Sequence, residues 1–207
     1  MRASIAIAIS LALCTAATSA RADDDRHSES HDGLFVRVEG GIGYLHASAN
    51  YAGVTATSTG GTGMLGAALG GAIAPNLVLY GEVWGMACPN PNVQFAGSNS
   101  IAKNTTLNYG GLGLGIGFFL MPANLFLGVS LDLTRLAVTN SDGSDSHSDV
   151  GLAATVTLGK QWWISDRLGL GISLQGIGGG NRDNNNDTNS ATYKTFTGLA
   201  ALTFTYG

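Results

Sequence analysis

Two short segments combine histidine and serine, the residue types of a nucleophilic hydrolase. His46 and Ser48 stand two residues apart, and residues 146–149 read Ser-His-Ser-Asp. A serine nucleophile needs a neighbouring base that an acid orients. No acid stands at a suitable spacing from His46, and the second segment lies in a stretch dense in Ser and Asp, typical of a solvated loop. We therefore predict that the chain is not an enzyme and has no catalytic residues.

A second set of residues with chemical potential is charged. Four charged side chains interrupt segments that are otherwise small or apolar: Arg37, Glu39, Glu82 and Asp132. Acids that share a narrow space disfavour each other's ionisation, so a proton or a cation has to balance them. Such a cluster either ties a plugged interior together or lines a conducting one. No metal site and no cofactor are predicted, because the Asp- and Asn-rich stretches lack a fixed ligand spacing.

These residues lie in or near eight segments in which apolar side chains alternate with small or polar ones. Alternation with a period of two residues is typical of a β-strand. In the first, Leu34, Val36 and Val38 share one face, and Arg37 and Glu39 share the other. Crossing a bilayer at a tilt takes roughly 9 to 11 residues, which each segment nears or exceeds. The predicted strands are Leu34–Leu45, Met64–Ile73, Leu77–Ala87, Thr105–Leu120, Leu125–Val138, Val150–Gln161, Leu168–Ile177 and Tyr193–Tyr206.

The connections between these segments alternate in length. Three tight turns are predicted at residues 74–76, 121–124 and 164–167. Four long loops, rich in Asn, Ser, Gly, Thr or Asp, are predicted at residues 46–62, 88–104, 139–149 and 178–191. Outer-membrane barrels have short periplasmic turns and long outer loops, so we expect the loop around Asn184 to face the exterior.

Periodicity alone does not say which face meets the surroundings. A soluble eight-stranded barrel would turn its Leu and Val residues inward and expose the Gly, Ala, Ser and Thr face. Water-facing surfaces carry roughly a quarter or more charged residues, whereas charged residues make up 12% of this chain. The second face suits a narrow lumen, in which small residues leave room for a few large side chains. We predict an all-β fold, an eight-stranded antiparallel up-and-down transmembrane β-barrel.

Aromatic residues fall near the ends of the predicted strands. Interfacial girdles of membrane barrels use such rings. Phe119 and Phe126 lie near the periplasmic ends, and Tyr44 and Tyr109 lie toward the opposite ends. A periplasmic aromatic girdle is predicted at Trp162, Trp163, Phe204 and Tyr206.

The start of the chain has the features of an export signal. Arg2 precedes an apolar run, Ile5–Leu13, and residues 20–22 read Ala-Arg-Ala, a small-x-small cleavage site. The predicted organisation is a signal peptide at 1–22, a disordered periplasmic leader at 23–33 and an outer-membrane barrel at 34–207. Cys14 ends an imperfect lipobox, so lipidation at this position stays open.

The exported part of the chain is acidic. The whole chain has a net charge of −4, and removal of Arg2 and Arg21 makes it about −6. A nucleic-acid partner would need a basic face, so this charge argues against one. Cys88 is the one cysteine left after cleavage, so no internal disulfide is predicted.

These features together resemble the small bacterial outer-membrane β-barrel families, broadly the OmpA-type transmembrane barrel without its peptidoglycan-binding domain. The likeness covers residues 34–207. A more local likeness lies in one short stretch, residues 159–165, which read Gly-Lys-Gln-Trp-Trp-Ile-Ser. Residues 202–207 resemble the insertion signal read by the barrel-assembly machinery, but end in Gly207 rather than an aromatic residue. His46 and Ser48 weakly resemble the His-x-Ser pair of outer-membrane lipid A deacylases, which carry it in a later strand.

The resemblance and the narrow lumen imply a structural or surface-interaction role through extracellular loops, in the cell outer membrane. A narrow, cation-favouring, porin-like channel is the alternative, and a lipid A-modifying enzyme is a remote one. The implied partners are outer-membrane lipid and lipopolysaccharide, and the barrel-assembly machinery during biogenesis. The sequence does not identify a loop partner.

Overall fold

Eleven β-strands make up the part of the chain that the computed structural model describes, residues 31–51, 54–140, 145–183 and 191–207. The predicted signal peptide and residues 23–30 of the leader lie outside that part. Eight long strands form the barrel: β1 (Leu34–Tyr51), β2 (Val54–Ala74), β3 (Leu77–Pro89), β6 (Thr105–Leu120), β7 (Leu125–Asn140), β9 (Gly151–Ser165), β10 (Leu168–Asp183) and β11 (Ala191–Tyr206). Three short strands accompany them: β4 (Asn92–Phe95), β5 (Ser98–Ile101) and β8 (Asp145–His147).

Each long strand pairs antiparallel with the next long strand along the chain, and β11 pairs with β1 to close the sheet. The predicted eight-stranded up-and-down barrel is therefore confirmed. Among the described residues, no helix is long and apolar enough to cross a membrane.

The barrel closes with a stagger of ten residues. Following paired residues once around the sheet from Val36 leads back to β1 at His46, ten positions further along. With a rise of about 3.3 Å per residue and about 4.8 Å between strands, this stagger tilts the strands by about 40°. Eight strands at such a tilt enclose an interior that side chains can fill.

The two faces of the wall divide as the alternation predicts. The outer face carries large apolar side chains that are well exposed, for example Ile42 (76%) and Leu131 (72%). The inner face carries the buried charged residues and many buried Ser, Thr and Gln side chains. Because the apolar face points away from the interior, the barrel has the outer surface of a protein dissolved in lipid.

Three tight turns lie at one end of the barrel, as predicted. Asn76 and Asn124 occupy two of them with left-handed backbone (φ 62° and 49°), which asparagine tolerates better than most residues. At the other end, the long connection after β3 folds into the β4–β5 hairpin, whose turn residues Ala96 and Gly97 both have positive φ. Two positive φ values define the hairpin turn that matches the strand twist.

The predicted long loops are shorter than expected, because the strands continue into them. β1 and β2 stay paired up to Tyr51 and Val54, so most of segment 46–62 is strand rather than loop. β10 likewise extends to Asp183, inside the predicted loop 178–191. Residues 184–190 of that loop, including Asn184, lie outside the described residues.

Candidate functional site in the barrel lumen

The four charged residues singled out from the sequence all point into the lumen. Arg37 and Glu39 lie two residues apart on β1, so they share its inner face, while Glu82 comes from β3 and Asp132 from β7. All four are buried, and Asp132 has no exposed surface. Uncharged small residues on the same face, such as Gly113 opposite Asp132, leave the space that these side chains occupy.

Arg37 and Glu39 form the ion pair of this cluster. Arg37 Nε lies 3.3 Å from Glu39 Oε2, and Gln175 Nε2 donates a hydrogen bond of 2.7 Å to the same oxygen. The Arg37 guanidinium also lies 4.8 Å from the centre of the Phe126 ring, within the range of a cation–π interaction. Arg37 therefore connects the charged layer to the aromatic residues below it.

Hydroxyl groups connect the other two carboxylates, those of Glu82 and Asp132. Ser130 Oγ lies 2.5 Å from Glu82 Oε1 and 3.3 Å from Asp132 Oδ2, and Thr155 Oγ1 donates to Asp132 Oδ2 at 2.9 Å. A serine hydroxyl has one proton, so it donates to one carboxylate at a time. Asp132 Oδ1 has no hydrogen-bond partner among the described residues. The site thus holds three acids against one base, with few donors for the acids.

Sequence reasoning missed the uncharged members of this network: Ser130, Thr155 and Gln175. Each is buried on the inner face of its strand and donates a hydrogen bond to one of the three carboxylates. A search for charge cannot find them. The signal that could have found them is the same alternation, which puts Ser130 on the face of Asp132 two residues along β7.

Apolar clusters lie on both sides of the charged layer. At the short-turn end, the inner faces supply Phe35, Ala68, Val78, Tyr80, Phe119 and Phe126. Toward the other end, they supply Leu45, Ala47, Met64, Trp84, Met86, Cys88, Leu107, Tyr109, Leu136, Ala153, Ile177 and Leu199. We call these the lower plug and the upper plug. The charged layer is enclosed between them, and both plugs are well buried.

The four residues of the predicted aromatic girdle do not all point outward. Trp162 and Phe204 are exposed on the outer face (52% and 43%), and Tyr206, partly buried, accepts a hydrogen bond of 3.4 Å from Arg167. Trp163 instead turns toward the lumen and stacks on His31. Consecutive residues of a strand face opposite sides, so Trp162 and Trp163 cannot both face lipid. Tyr109, predicted near the outer boundary, is also inside, in the upper plug.

The last residues of the predicted leader are part of the barrel's lower end. His31 is buried, and its ring stacks on Phe119 at 3.6 Å and on Trp163 at 4.6 Å between ring centres. Its Nε2 lies 3.1 Å from Asn124 Oδ1, and its backbone N–H donates to Asn76 Oδ1. Burial lowers the pKa of His31 from its usual 6.5, against the opposing effects of the Asn124 hydrogen bond and Asp32. The His31 ring thus covers the lower plug, and its burial favours the neutral form.

The histidine–serine segments have no catalytic arrangement in the described residues. His46 is exposed on the outer face of β1, and no hydrogen bond to an acid is seen for it there. Ser148 is buried and structural, since its Oγ accepts from the Leu136 N–H and donates to the Asp149 carbonyl oxygen. No group of three or more potential metal-ligating side chains is found in the described part of the chain.

Comparisons with known proteins support the fold. No family model and no curated protein matches the sequence. Among solved structures, the chain is similar to Neisserial surface protein A, with a TM-score of 0.53 and 17% identity over 84% of this chain and 96% of that one. It also matches the outer membrane protein OprG from Pseudomonas aeruginosa, with a TM-score of 0.47 and 10% identity over 86% and 98% of the two chains.

A further match is the outer membrane protease OmpT from Escherichia coli, with a TM-score of 0.45 and 8% identity over 84% and 96% of the two chains. The likeness to Neisserial surface protein A, at 17% identity, shows the small outer-membrane barrel fold alone, for which the OmpA-type label is approximate. A fold of this kind hosts unrelated functions, so the role has to be argued from the site.

Proposed function

We propose that this chain is an integral outer-membrane protein whose barrel is a plugged anchor for the surface formed at its long-loop end. The exposed apolar outer face supports the membrane location, since only a lipid solvent makes that exposure favourable. The role is structural or surface-interacting. Outer-membrane lipid, lipopolysaccharide and, during biogenesis, the barrel-assembly machinery are the proposed partners.

The observation that carries this proposal is the closure of the lumen by two apolar plugs. An ion that entered from either end would have to pass Phe119 and Phe126, or Leu45 and Tyr109, before it reached the charged layer. Displacing such packed side chains opens cavities, at a cost of several kcal/mol. The charged layer then serves as a cross-link between strands β1, β3, β7 and β10 rather than as a conduction path.

Heat-dependent electrophoretic mobility tests the membrane part of the proposal. The refolded protein should resist SDS until boiled, so unheated and heated samples should migrate differently. A single mobility, together with solubility in buffer without detergent, would contradict the proposal.

A narrow cation-favouring channel is the second candidate, and one observation favours it. Among the described residues, the lumen holds three carboxylates against one guanidinium, an excess that attracts cations wherever water enters. In that case the plugs would be mobile and the charged layer hydrated. The effect of removing Arg37 separates the two candidates.

A further inference from the structure

The outer face of the wall has a groove on the side formed by β1, β2, β3, β6 and β7. It has a volume of about 790 Å³, and its lining includes Gly40, Gly63, Leu65, Gly85, Gly110 and Arg135. We call it the outer groove. Large side chains such as Leu131 and Leu114 project from other parts of this face, whereas at Gly63 and Gly85 of the outer groove no side chain covers the backbone.

Two glycines of the outer groove, Gly63 and Gly85, are not required by packing. A Cβ atom built on Gly63 or Gly85 meets no atom within 4 Å, so a side chain there would point into open space. By contrast, the inward Gly113 and Gly115 are covered closely by Asp132 and Tyr80. Close packing inside the barrel therefore explains Gly113 and Gly115 and does not explain Gly63 and Gly85.

Among the described residues, Arg135 is the one charged side chain in the lining of the outer groove, and it lies at the end of a row of residues that pair across four strands. Leu65, Gly85, Gly110 and Arg135 pair successively across β2, β3, β6 and β7. On β7 the outward apolar residues run from Leu125 to Leu133, and Arg135 is the next outward residue. Arg135 thus lies at the long-loop edge of the apolar belt, where lipid headgroups meet hydrocarbon.

The geometry of Arg135 suits an anionic headgroup. Its Nε donates a hydrogen bond of 3.1 Å to the Ser148 carbonyl oxygen, which fixes the guanidinium at the groove. Arginine has five N–H donors in a planar fork that matches phosphate oxygens, and its remaining donors are on the two terminal nitrogens. An apolar groove that ends at a fixed guanidinium is complementary to an acyl chain that ends at a phosphate.

We infer that the outer groove binds one phosphorylated glycolipid of the outer leaflet, with an acyl chain over Gly63 and Gly85 and a phosphate on Arg135. This rests on the proposed outer-membrane location. It goes beyond bulk solvation by lipid, because it assigns one site, one anchoring residue and one lipid at a time.

Native mass spectrometry of the refolded protein with lipid A in detergent tests this inference. One retained lipid A per barrel is expected. Arg135→Ala should weaken retention about tenfold, the effect of losing one charge-assisted hydrogen bond. Arg182→Ala is the matched control, an exposed outward arginine on β10 away from the groove, and should retain the lipid. Dephosphorylated lipid A should bind wild type as weakly as lipid A binds Arg135→Ala.

Substitutions that fill the outer groove with a side chain give an independent test of the same inference. Gly85→Leu should abolish retention, whereas Gly176→Leu, at an equally open outward glycine on β10, should not change it. Two results with the heat-modifiable wild type would overturn the inference: no retained lipid, or a dimer of the chain in place of the lipid adduct. Two results with the variants would also overturn it: an equal loss of lipid retention in Arg135→Ala and Arg182→Ala, or unchanged lipid retention in Gly85→Leu. A wild type that is not heat-modifiable would instead refute the membrane location itself.

Discussion

At the scale of single residues, Arg37 is the side chain on which the lumen depends most. It is paired with Glu39 at 3.3 Å and lies over the Phe126 ring, in a layer with three carboxylates. Removing one partner of a buried ion pair costs about 3–5 kcal/mol, because the other charge stays buried without compensation. Arg37→Ala should therefore lower the thermal midpoint of the refolded protein strongly.

The matched control for this prediction is Arg182→Ala, which removes an exposed arginine. It should change the free energy of unfolding by no more than about 0.5 kcal/mol, the effect of an ordinary surface substitution, and so leave the thermal midpoint nearly unchanged. If Arg37→Ala is as stable as the control and carries a cation current, the lumen is hydrated, and the channel becomes the better account.

The residues of the charged layer could be predicted because alternation assigns each one to a face. The same alternation places Trp163 inside and Trp162 outside, so an aromatic residue near a strand end does not by itself indicate a membrane-facing girdle. Ser130, Thr155 and Gln175 could be assigned to the inner face but not to particular carboxylates, because those contacts depend on how strands β3, β7, β9 and β10 are staggered.

At the scale of elements, residues 31–33 before β1 cover the lower end of the barrel, and we expect this docking to depend on pH. Because the folded pKa of His31 lies below 6.5, the neutral ring is favoured when it is stacked between Phe119 and Trp163. The stabilisation that docking gives is complete above about pH 6.5 and is lost as the pH falls below it. Acidification should therefore release this segment.

Trp163 fluorescence reports the release, in a background of Trp84→Phe and Trp162→Phe that leaves it as the one tryptophan. Its emission should change on acidification below about pH 6.5, and the change should be absent in His31→Asn. A pH response that His31→Asn retains would show that another group, such as Asp32, controls the segment.

The strands could be located from sequence, but their outer ends could not. Inside the apolar belt, the lipid-facing side of each strand has to be apolar, so apolar residues recur at every second position and indicate the strand. Beyond the belt, an apolar outer face is no longer required, and residues 47–59, rich in Ala, Ser and Thr, show no apolar period. The pairing there continues because the register set within the belt extends along both chains.

At the scale of the whole molecule, closure with only eight strands makes the interior narrow enough for side chains of β1, β3, β7 and β10 to meet, and the stagger of ten residues sets which of them lie at the same level. This property belongs to the pairing of all eight strands and could not be predicted from any one segment. The two plugs follow from it, since the upper plug takes residues from strands that are far apart in sequence, such as Leu45 on β1 and Ile177 on β10.

Conductance of the refolded wild type in a planar lipid bilayer tests the plugged lumen most directly. Insertion is verified first by heat-dependent mobility of the same preparation, and a wide porin reconstituted in the same way shows that open barrels are detected. The plugged barrel should give no steady current above that of the bare bilayer. A steady, cation-selective current from the wild type would contradict the account.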